Sequence, residues 1–353
     1  MKIGIHQTKG SFSDRWIAYC ETNNISYKAV DCYRTDIIQQ LDDCDALMWH
    51  FNHKSPKASK FAKQLLFSVQ VSGKNVFPDF NTVWHFDDKV GQKYLLEAIG
   101  APIVPSWVFY DKKEALGWAR QTDYPKVFKL RNGAGSDNVH LVRSNHEAKQ
   151  LINRAFGKGF KQYEAWNSLK ERYRKFRLGK TTLWDVVKGI IRLGRSTEYA
   201  RVTGRERGYI YFQDYIPGND HDIRVVVIGN KAFAIKRMVR PNDFRASGSG
   251  NILYDKHMFD ENTIRLSFEL AEKLKIQCVA FDYVHEKGNP LLVEISYGFS
   301  PAGYDPCTGY WDKEMNWQVG KFNPYGWMIE DLIKRVQEQK KDLETKGLRD
   351  KGT

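Results

Sequence analysis

The sequence predicts a mixed α/β protein with more than one folded part, and three observations support this class. The chain has 353 residues, which is too long for one ordinary hydrophobic core. Its first eighty residues alternate strand and helix signals, whereas the strands after residue 208 follow one another as hairpins. Apolar residues make up 42% of the chain and charged residues 27%, a globular composition that excludes general disorder.

The first third of the chain predicts a small parallel sheet covered by helices. Short apolar runs at Lys2–His6, Asp45–His50 and 75–78 are typical of buried strands, and helical stretches separate them. This alternation is the pattern of βαβ units. We therefore expect an N-terminal α/β domain over residues 1–85.

The next part of the chain predicts a second domain over residues 86–330. Its expected elements are a helix at Phe86–Gly100, a strand at Val104–Tyr110, a helix at Lys112–Gln121, and strands at Pro125–Leu130, Val139–Arg143 and Tyr209–Ile216. For residues 331–353 we expect a C-terminal helix and a charged tail that frays from Gln339.

A basic segment, residues 151–208, interrupts the second domain. It holds fifteen Lys and Arg against five Asp and Glu, a net +10 out of +13 for the whole chain. Such a concentration favours a docking surface for an anionic partner or a membrane surface, although a helical insertion with solvated arginines is equally open. Its interleaved aromatics are also typical of single-strand binders, but nucleic acid is the less favoured partner.

Composition also indicates the cellular setting. Five cysteines without a C-x-x-C pair fit a reduced compartment rather than a disulfide framework. No run of eighteen apolar residues occurs, and the start of the chain has no export signal. These observations predict a cytoplasmic protein, peripheral to the inner face of the membrane if the basic segment docks there.

A lysine near the end of one predicted strand leads into a glycine-rich turn. Lys129 closes the strand, and Gly133, Gly135 and Ser136 follow it. Glycines let backbone N–H groups converge on an anion such as a phosphate. The turn lacks the G-K-[ST] ending of a P-loop, so a plain glycine-rich hairpin is the commoner explanation of these residues taken alone.

Charged residues gather on one face of a predicted hairpin. The dipeptide Gly229-Asn230 lies between two apolar runs and predicts a two-residue turn. Pairing outward from it places Asp222 opposite Arg237, with Arg224 on the same face. The group is either a cross-strand salt bridge or an anion site, and the nearby Arg245 favours the anion site.

A second predicted hairpin, centred on Gly288, brings two carboxylates together. Symmetric pairing places Asp282 opposite Glu294, with Ser296 on the same side. Carboxylates about 5 Å apart repel unless one is protonated or a cation bridges them. Mg²⁺ takes one or two carboxylates and completes its shell with phosphate oxygens. The pair is therefore either a Mg²⁺ site or the polar face of a half-exposed hairpin.

In their order and spacing, these motifs resemble the ATP-grasp superfamily, and more closely its branch of glutathione synthetases and ribosomal-protein glutamate ligases. The similarity extends from about Phe77 to about Ser300. Asp88-Lys89 resembles the family's D-K start, 222–224 its D-I-R, and Asp214 stands where its Q-E-[FY]-I hinge usually has glutamate. The resemblance implies an ATP-grasp fold, with two lobes holding ATP after an α/β preamble domain.

The resemblance also assigns roles, with ATP and Mg²⁺ as the cofactors. It implies nucleotide binding by Lys89, Lys129, Gly133, Gly135, Ser136, Gln213, Asp214, Tyr215, Ile216 and Asp222. It implies metal binding by Asp282, Glu294 and Ser296, and it implies catalytic groups that hold a carboxylate and its acyl phosphate at Arg224, Arg237 and Arg245.

The implied activity is ATP-dependent carboxylate–amine ligation through an acyl phosphate. A candidate setting for this reaction is the modification of a surface polysaccharide or other glycan precursor. The chain departs from the family at Ser296, where asparagine is usual, and over 297–304, which lack its N-x-x-P-G. Aromatics between Tyr304 and Trp327 either stack on sugar rings or pack in a core. Two alternatives stay open: an ATP-grasp kinase of a sugar or polyol, and a non-catalytic nucleotide- or nucleic-acid-binding protein.

Overall fold

The computed structural model describes most of the chain in two compact units. The described residues are 1–52, 55–133, 138–161, 173, 176, 182–184, 187–188, 204–240, 243–246 and 249–349. Unit 1 comprises residues 1–52, 58–86 and 220–353, and unit 2 comprises residues 53–57 and 87–219. The sequence predicts three parts from the boundaries of its motifs, whereas these two units are defined by compactness. The three-part division therefore stays a prediction.

The described elements alternate as a mixed α/β fold. The strands are β1 (Ile3–His6), β2 (Tyr27–Val30), β3 (Ala46–Met48), β4 (Asn75–Phe77), β5 (Ser106–Phe109), β6 (Lys126–Lys129), β7 (His140–Val142), β8 (Phe160–Lys161), β9 (Arg205–Glu206), β10 (Ile210–Asp214), β11 (His221–Ile228), β12 (Lys231–Met238), β13 (Ile252–Leu253), β14 (Cys278–Glu286), β15 (Asn289–Ser296), β16 (Gly309–Asp312) and β17 (Trp317–Val319). The helices are α1 (Phe12–Thr22), α2 (Ile37–Gln40), α3 (Pro56–Val71), α4 (Phe80–Val83), α5 (Lys89–Ala98), α6 (Lys112–Gln121), α7 (Asn145–Ala155), α8 (Glu261–Leu274), α9 (Pro301–Tyr304) and α10 (Pro324–Arg349).

The amino-terminal part of unit 1 is the parallel sheet that the sequence predicts. Its strand order is β2-β1-β3-β4, and every neighbouring pair is parallel. His6 and His50, at the ends of two of these strands, are both buried. Nδ1 of each accepts a hydrogen bond from a backbone N–H, that of Cys32 at 3.0 Å and that of Phe12 at 3.1 Å. Both histidines therefore fasten loops to the sheet.

The larger sheet of unit 1 has seven strands and antiparallel pairing throughout. Its order is β15-β14-β11-β12-β16-β17, with β13 paired to β12. Apolar residues of β11 and β12, such as Val226 and Phe233, share one core cluster with Ile5 of the parallel sheet. This core holds the part of the hairpin of β11 and β12 that is near its turn. The charged residues Asp222 and Arg237 lie at the other end of the hairpin.

The carboxyl-terminal part departs from one expectation, and it decides between the two alternatives for its aromatic residues. Helix α10 continues past Gln339 to Arg349 instead of fraying, because Gln339 donates to the Gly73 carbonyl at 2.7 Å and Lys340 pairs with Asp45 at 2.7 Å. The aromatics considered for sugar stacking belong mainly to the interior, where the buried ones are Tyr304, Trp311, Tyr325 and Trp327.

Unit 2 is built on an antiparallel sheet of order β5-β10-β6-β7. One face packs Phe128 and Phe212 against α6 and α7, and the side chain of Asp111 caps α6 by accepting from Glu114 N. The opposite face carries Lys129 and Gln213, since side chains alternate along each strand. Among the described residues, no helix has the length and apolar character needed to cross a membrane.

Candidate functional site

The first turn of α5 and the loop after β6 are tied together in unit 2. Asp88 caps α5 by accepting from Gly91 N at 2.9 Å, and it pairs with Arg131 Nη2 at 2.5 Å. Lys89 Nζ donates to the Gly133 carbonyl at 2.8 Å, and Gly133 N donates to Asp87 at 2.7 Å. Gly133 has a φ of +110°, which disfavours any residue with a Cβ. The predicted residues Lys89 and Gly133 are therefore neighbours, whereas Gly135 and Ser136 lie outside the described residues.

The second predicted lysine lies in a buried polar cluster on the sheet of unit 2. Lys129 Nζ donates to Gln213 Oε1 at 2.6 Å. Gln213 Nε2 in turn donates to Ser106 Oγ at 3.1 Å, and the Tyr211 hydroxyl donates to the same oxygen at 2.9 Å. All four residues are buried. The cluster holds the ammonium group of Lys129 in one place.

Asp214, where the family has glutamate, uses its side chain to hold the end of β10. Its carboxylate pairs with Lys126 Nζ at 2.5 Å, and that ammonium lies 4.6 Å from the centre of the Trp107 ring. The Asp214 N–H donates to Pro105 O at 2.8 Å. Tyr215 and Ile216 follow directly and are half-buried. The strand end is thereby fixed by one short ion pair.

In unit 1, the predicted register of β11 and β12 is confirmed, with Asp222 opposite Arg237. Arg237 binds Asp222 through both Nε and Nη2, each at 2.6 Å. Arg224 binds Asp282 of the neighbouring strand β14, with Nη2 at 2.6 Å and Nε also in contact. Arg237 Nη2 reaches Asp282 as well, at 3.0 Å. Two arginines and two aspartates therefore form one connected, charge-balanced network.

The network controls the charge state of Asp282. Burial alone would raise the pKa of this carboxyl, but the Arg224 and Arg237 guanidinium groups outweigh burial and lower the pKa to about 2. Burial opposes the charge of Arg224 too, yet the Asp282 carboxylate keeps the pKa of Arg224 well above its usual range. Asp282 is therefore ionised over the whole physiological range.

The predicted pairing of Asp282 with Glu294 is confirmed, but the hairpin is built differently from the expectation. The turn has two residues, Lys287 and Gly288, because Glu286 pairs with Asn289. A bulge at Val293 then shifts the register by one residue between Tyr283 and Asp282 and restores the pairing at Asp282. Both carboxylates consequently belong to the same face of the sheet.

The carboxylates of β14 and β15 have part of the chemistry of a Mg²⁺ site. Asp282 and Glu294 offer the carboxylate oxygens that Mg²⁺ prefers. Ser296 Oγ is engaged with its own turn, since it donates to Gly298 O at 3.0 Å and accepts from Gly298 N at 3.2 Å. Within the described ranges, no group of three or more His, Cys, Asp and Glu side chains could hold a metal. Because Arg224 already contacts both Asp282 oxygens, a Mg²⁺ here would depend on Glu294 and on phosphate ligands that arrive with the ion.

The third predicted arginine has a separate partner. Arg245 binds Asp243 with Nε at 2.9 Å and Nη2 at 2.7 Å, within the described stretch 243–246. The Asp243 carboxylate also accepts from the backbone N–H of Arg245 at 3.1 Å. This local pair differs from the network of Arg224 and Arg237.

Sequence reasoning missed three polar residues of unit 2: Ser106, Lys126 and Tyr211. Alternation along β10 places Tyr211 on the face of Gln213, so this residue had a signal. Ser106 had none, because its pairing with Gln213 joins strands more than one hundred residues apart.

The fold is similar to several solved structures. D-alanine–D-alanine ligase from Bacillus anthracis complexed with ATP gives a TM-score of 0.56 at 12% identity, covering 96% of this chain and 99% of that one. D-cycloserine synthetase gives 0.56 at 15% identity, covering 95% and 100%. A RimK domain ATP-grasp protein from Sphaerobacter thermophilus gives 0.54 at 14% identity, covering 94% and 99%. Comparison with curated protein sequences finds no match.

These likenesses define the class: the chain has the ATP-grasp fold, as the motifs imply. Residues 193–303, which include β11, β12, β14 and β15, match the RimK-like ATP-grasp domain family. This part of the chain is therefore similar to the RimK-like ATP-grasp domain, and the chain as a whole has the ATP-grasp fold.

Proposed function

We propose that this protein is an ATP-dependent carboxylate–amine ligase that forms an amide through an acyl phosphate. One observation carries the proposal: in an ATP-grasp fold, the guanidinium groups of half-buried Arg224 and buried Arg237 lie beside Asp282, which in turn faces Glu294. Two of the neighbours with this fold, D-alanine–D-alanine ligase and D-cycloserine synthetase, are ligases or synthetases by name.

The proposed chemistry must bring together two anions, the γ-phosphate of ATP and the substrate carboxylate. Lys89 and Lys129 would bind phosphate oxygens, and the glycine-rich loop, which includes Gly133, would offer its N–H groups. Arg224 and Arg237 would bind the carboxylate and then the acyl phosphate, while Asp282 and Asp222 hold the Nε and Nη2 groups of the two arginines. Asp282 and Glu294 would hold Mg²⁺, which supplies neutralisation of phosphate charge.

For the nucleotide base, the proposal uses the strand end of unit 2. The Asp214 side chain is bound to Lys126, so the backbone groups of Tyr215 and Ile216 would bind the adenine ring. Gln213 would act beside them by holding Lys129. In unit 1, Asp222 would fix Arg237, and Arg245 would assist from its loop.

In the second half of the proposed reaction, an amine attacks the acyl phosphate. The new C–N bond forms as the C–O bond to phosphate breaks, the amine loses a proton, and inorganic phosphate leaves. Our candidate substrates are an amino acid, through its amine or its carboxylate, and an amino sugar in a glycan precursor. The aromatic residues give no support to a glycan, because most of them are buried in the core.

The test is release of ADP and phosphate across a panel of amino acids and amino sugars, with the mass of every product. We expect one ADP per amide, with a product lighter than the two substrates together by one water. A product heavier than one substrate by a phosphoryl group would instead establish a sugar or polyol kinase. ATP binding with no turnover on any substrate would favour a non-catalytic nucleotide-binding protein.

We also propose that the basic segment lets a cytoplasmic protein dock on an anionic partner or on the inner membrane surface. Most of residues 151–208 lie outside the described residues, but two that are described, Leu183 and Trp184, are about 60% exposed. Exposed apolar side chains within a strongly basic segment suit an anionic surface. Sedimentation with vesicles of anionic and of neutral lipid tests this proposal, and equal binding to both would oppose it.

A further inference from the structure

We propose that Ser106 is a positioning residue for Lys129 and acts through the side-chain amide of Gln213. The inference rests on the proposed function, in which Lys129 binds phosphate oxygens. It concerns a serine of β5 that no motif contains, and it follows from the direction of four hydrogen bonds in the buried cluster of unit 2.

The direction of these bonds is fixed by a backbone carbonyl. Ser106 Oγ donates its one hydrogen to Val104 O at 2.9 Å, and a carbonyl can only accept. Ser106 Oγ must therefore act as an acceptor toward its two other partners. These are the Tyr211 hydroxyl at 2.9 Å and Gln213 Nε2 at 3.1 Å.

This arrangement selects one of the two orientations of the Gln213 amide. With Nε2 held by Ser106, the carbonyl oxygen Oε1 faces Lys129 Nζ at 2.6 Å. The flipped amide would direct its N–H groups at the Lys129 ammonium, donor against donor, and its oxygen at the Ser106 hydroxyl, whose hydrogen already goes to Val104 O, acceptor against acceptor. Such unpaired contacts are costly here, because Ser106, Gln213 and Lys129 are only 8%, 4% and 7% exposed.

The experiment compares Ser106→Ala in two backgrounds, the parent and Gln213→Glu. A carboxylate has two equivalent acceptor oxygens, so the Gln213→Glu background has no amide orientation to set. In the parent background we expect Ser106→Ala to weaken ATP binding about tenfold, the size of one hydrogen bond to a charged group. In the Gln213→Glu background, the same substitution should change the Kd for ATP less than about twofold.

A second readout needs no nucleotide. The rate at which a small amine-labelling reagent modifies Lys129, measured by mass spectrometry, should rise in Ser106→Ala and should not rise further in the Gln213→Glu background. If the parent fails to bind ATP, the proposed function fails, and the labelling rates still decide whether Ser106 positions Lys129.

The matched control is Ser267→Ala in unit 1. Ser267 is another buried serine, and it donates to a backbone carbonyl (Thr263 O at 2.7 Å) beside a tyrosine hydroxyl (Tyr283 at 3.0 Å). This variant should keep the parent's Kd for ATP and the parent's labelling of Lys129. Equal losses from Ser106→Ala in both backgrounds, or no loss in either, would overturn the inference.

Discussion

Replacing Asp282 with asparagine should destabilise the protein in a way that depends on pH. The substitution keeps the shape of the side chain but removes the charge that balances Arg224 and Arg237. Removing one partner of a buried ion pair costs about 3–5 kcal/mol, because the remaining charge stays buried without compensation. Arg237 keeps Asp222, so most of the cost should come from Arg224.

Part of this cost follows from proton linkage. The folded pKa of Asp282 is about 2 against an ordinary value of 3.8. A lowered pKa means that the unfolded chain takes up the proton first as the pH falls. The charged form therefore contributes about 2 kcal/mol at pH 7, about half of that at pH 3, and nothing well below pH 2.

The assay is urea unfolding of parent and Asp282→Asn at pH 7, 5 and 3, followed by tryptophan fluorescence. The difference in free energy of unfolding should be constant from pH 7 to 5 and smaller by about 1 kcal/mol at pH 3. The control is Asp43→Asn, whose carboxylate bridges Lys2 and Lys28 at the surface and should matter little. A difference at pH 7 no larger than that of the control, or one that is the same at pH 3, would refute the reasoning.

Three further predictions concern the proposed reaction. Lys129→Ala should reduce ATP turnover at least about 100-fold, because the ammonium binds phosphate, while circular dichroism stays near that of the parent. The unfolding midpoint should fall moderately, since buried Gln213 loses the donor to its Oε1. Normal turnover would remove Lys129 from the nucleotide site. Glu294→Gln should reduce activity by about two orders of magnitude or more and raise the Mg²⁺ concentration needed for half-maximal rate, and full activity with a large fall in stability would make Glu294 structural. Charge reversal in the basic segment, at Arg172, Arg174, Lys175 and Arg177, should raise the KM for an anionic acceptor but not the KM for ATP. The effect should shrink as salt is added, because salt screens exposed charges. An equal rise in the KM for ATP would assign the segment to nucleotide binding.

The hairpin of β11 and β12 could be predicted from the sequence because everything that fixes it is local. A two-residue turn at Gly229-Asn230 and the alternation of apolar residues leave one register, and the structure has that register. The parallel sheet of the first third was predictable for the same reason, from short apolar strands separated by helices.

What the sequence could not show is which distant strands become neighbours. The pairing of β11 with β14 brings Arg224 beside Asp282, and that of β5 with β10 brings Ser106 to Gln213. Repulsion between two carboxylates suggested a metal as the bridging cation. In the structure, Arg224 and Arg237 neutralise Asp282. The local sequence around Asp282 does not indicate that arginines of other strands lie beside it.

The bulge at Val293 has a consequence for how this part of the chain tolerates changes in length. Ordinarily, losing one residue from a strand turns every side chain beyond it to the opposite face. Here the strand already contains one residue more than the ladder needs, and buried Leu292 and Ile295 are three positions apart rather than two.

Deleting Val293 would convert the hairpin into a regular ladder in which Leu292 still pairs with Tyr283 and Glu294 still pairs with Asp282. Inserting one residue at the same place would instead double the irregularity. Related chains can therefore lose a residue here and keep the carboxylate pair, whereas a gained residue would keep it only by enlarging the bulge. Length variation in this hairpin should be one-sided.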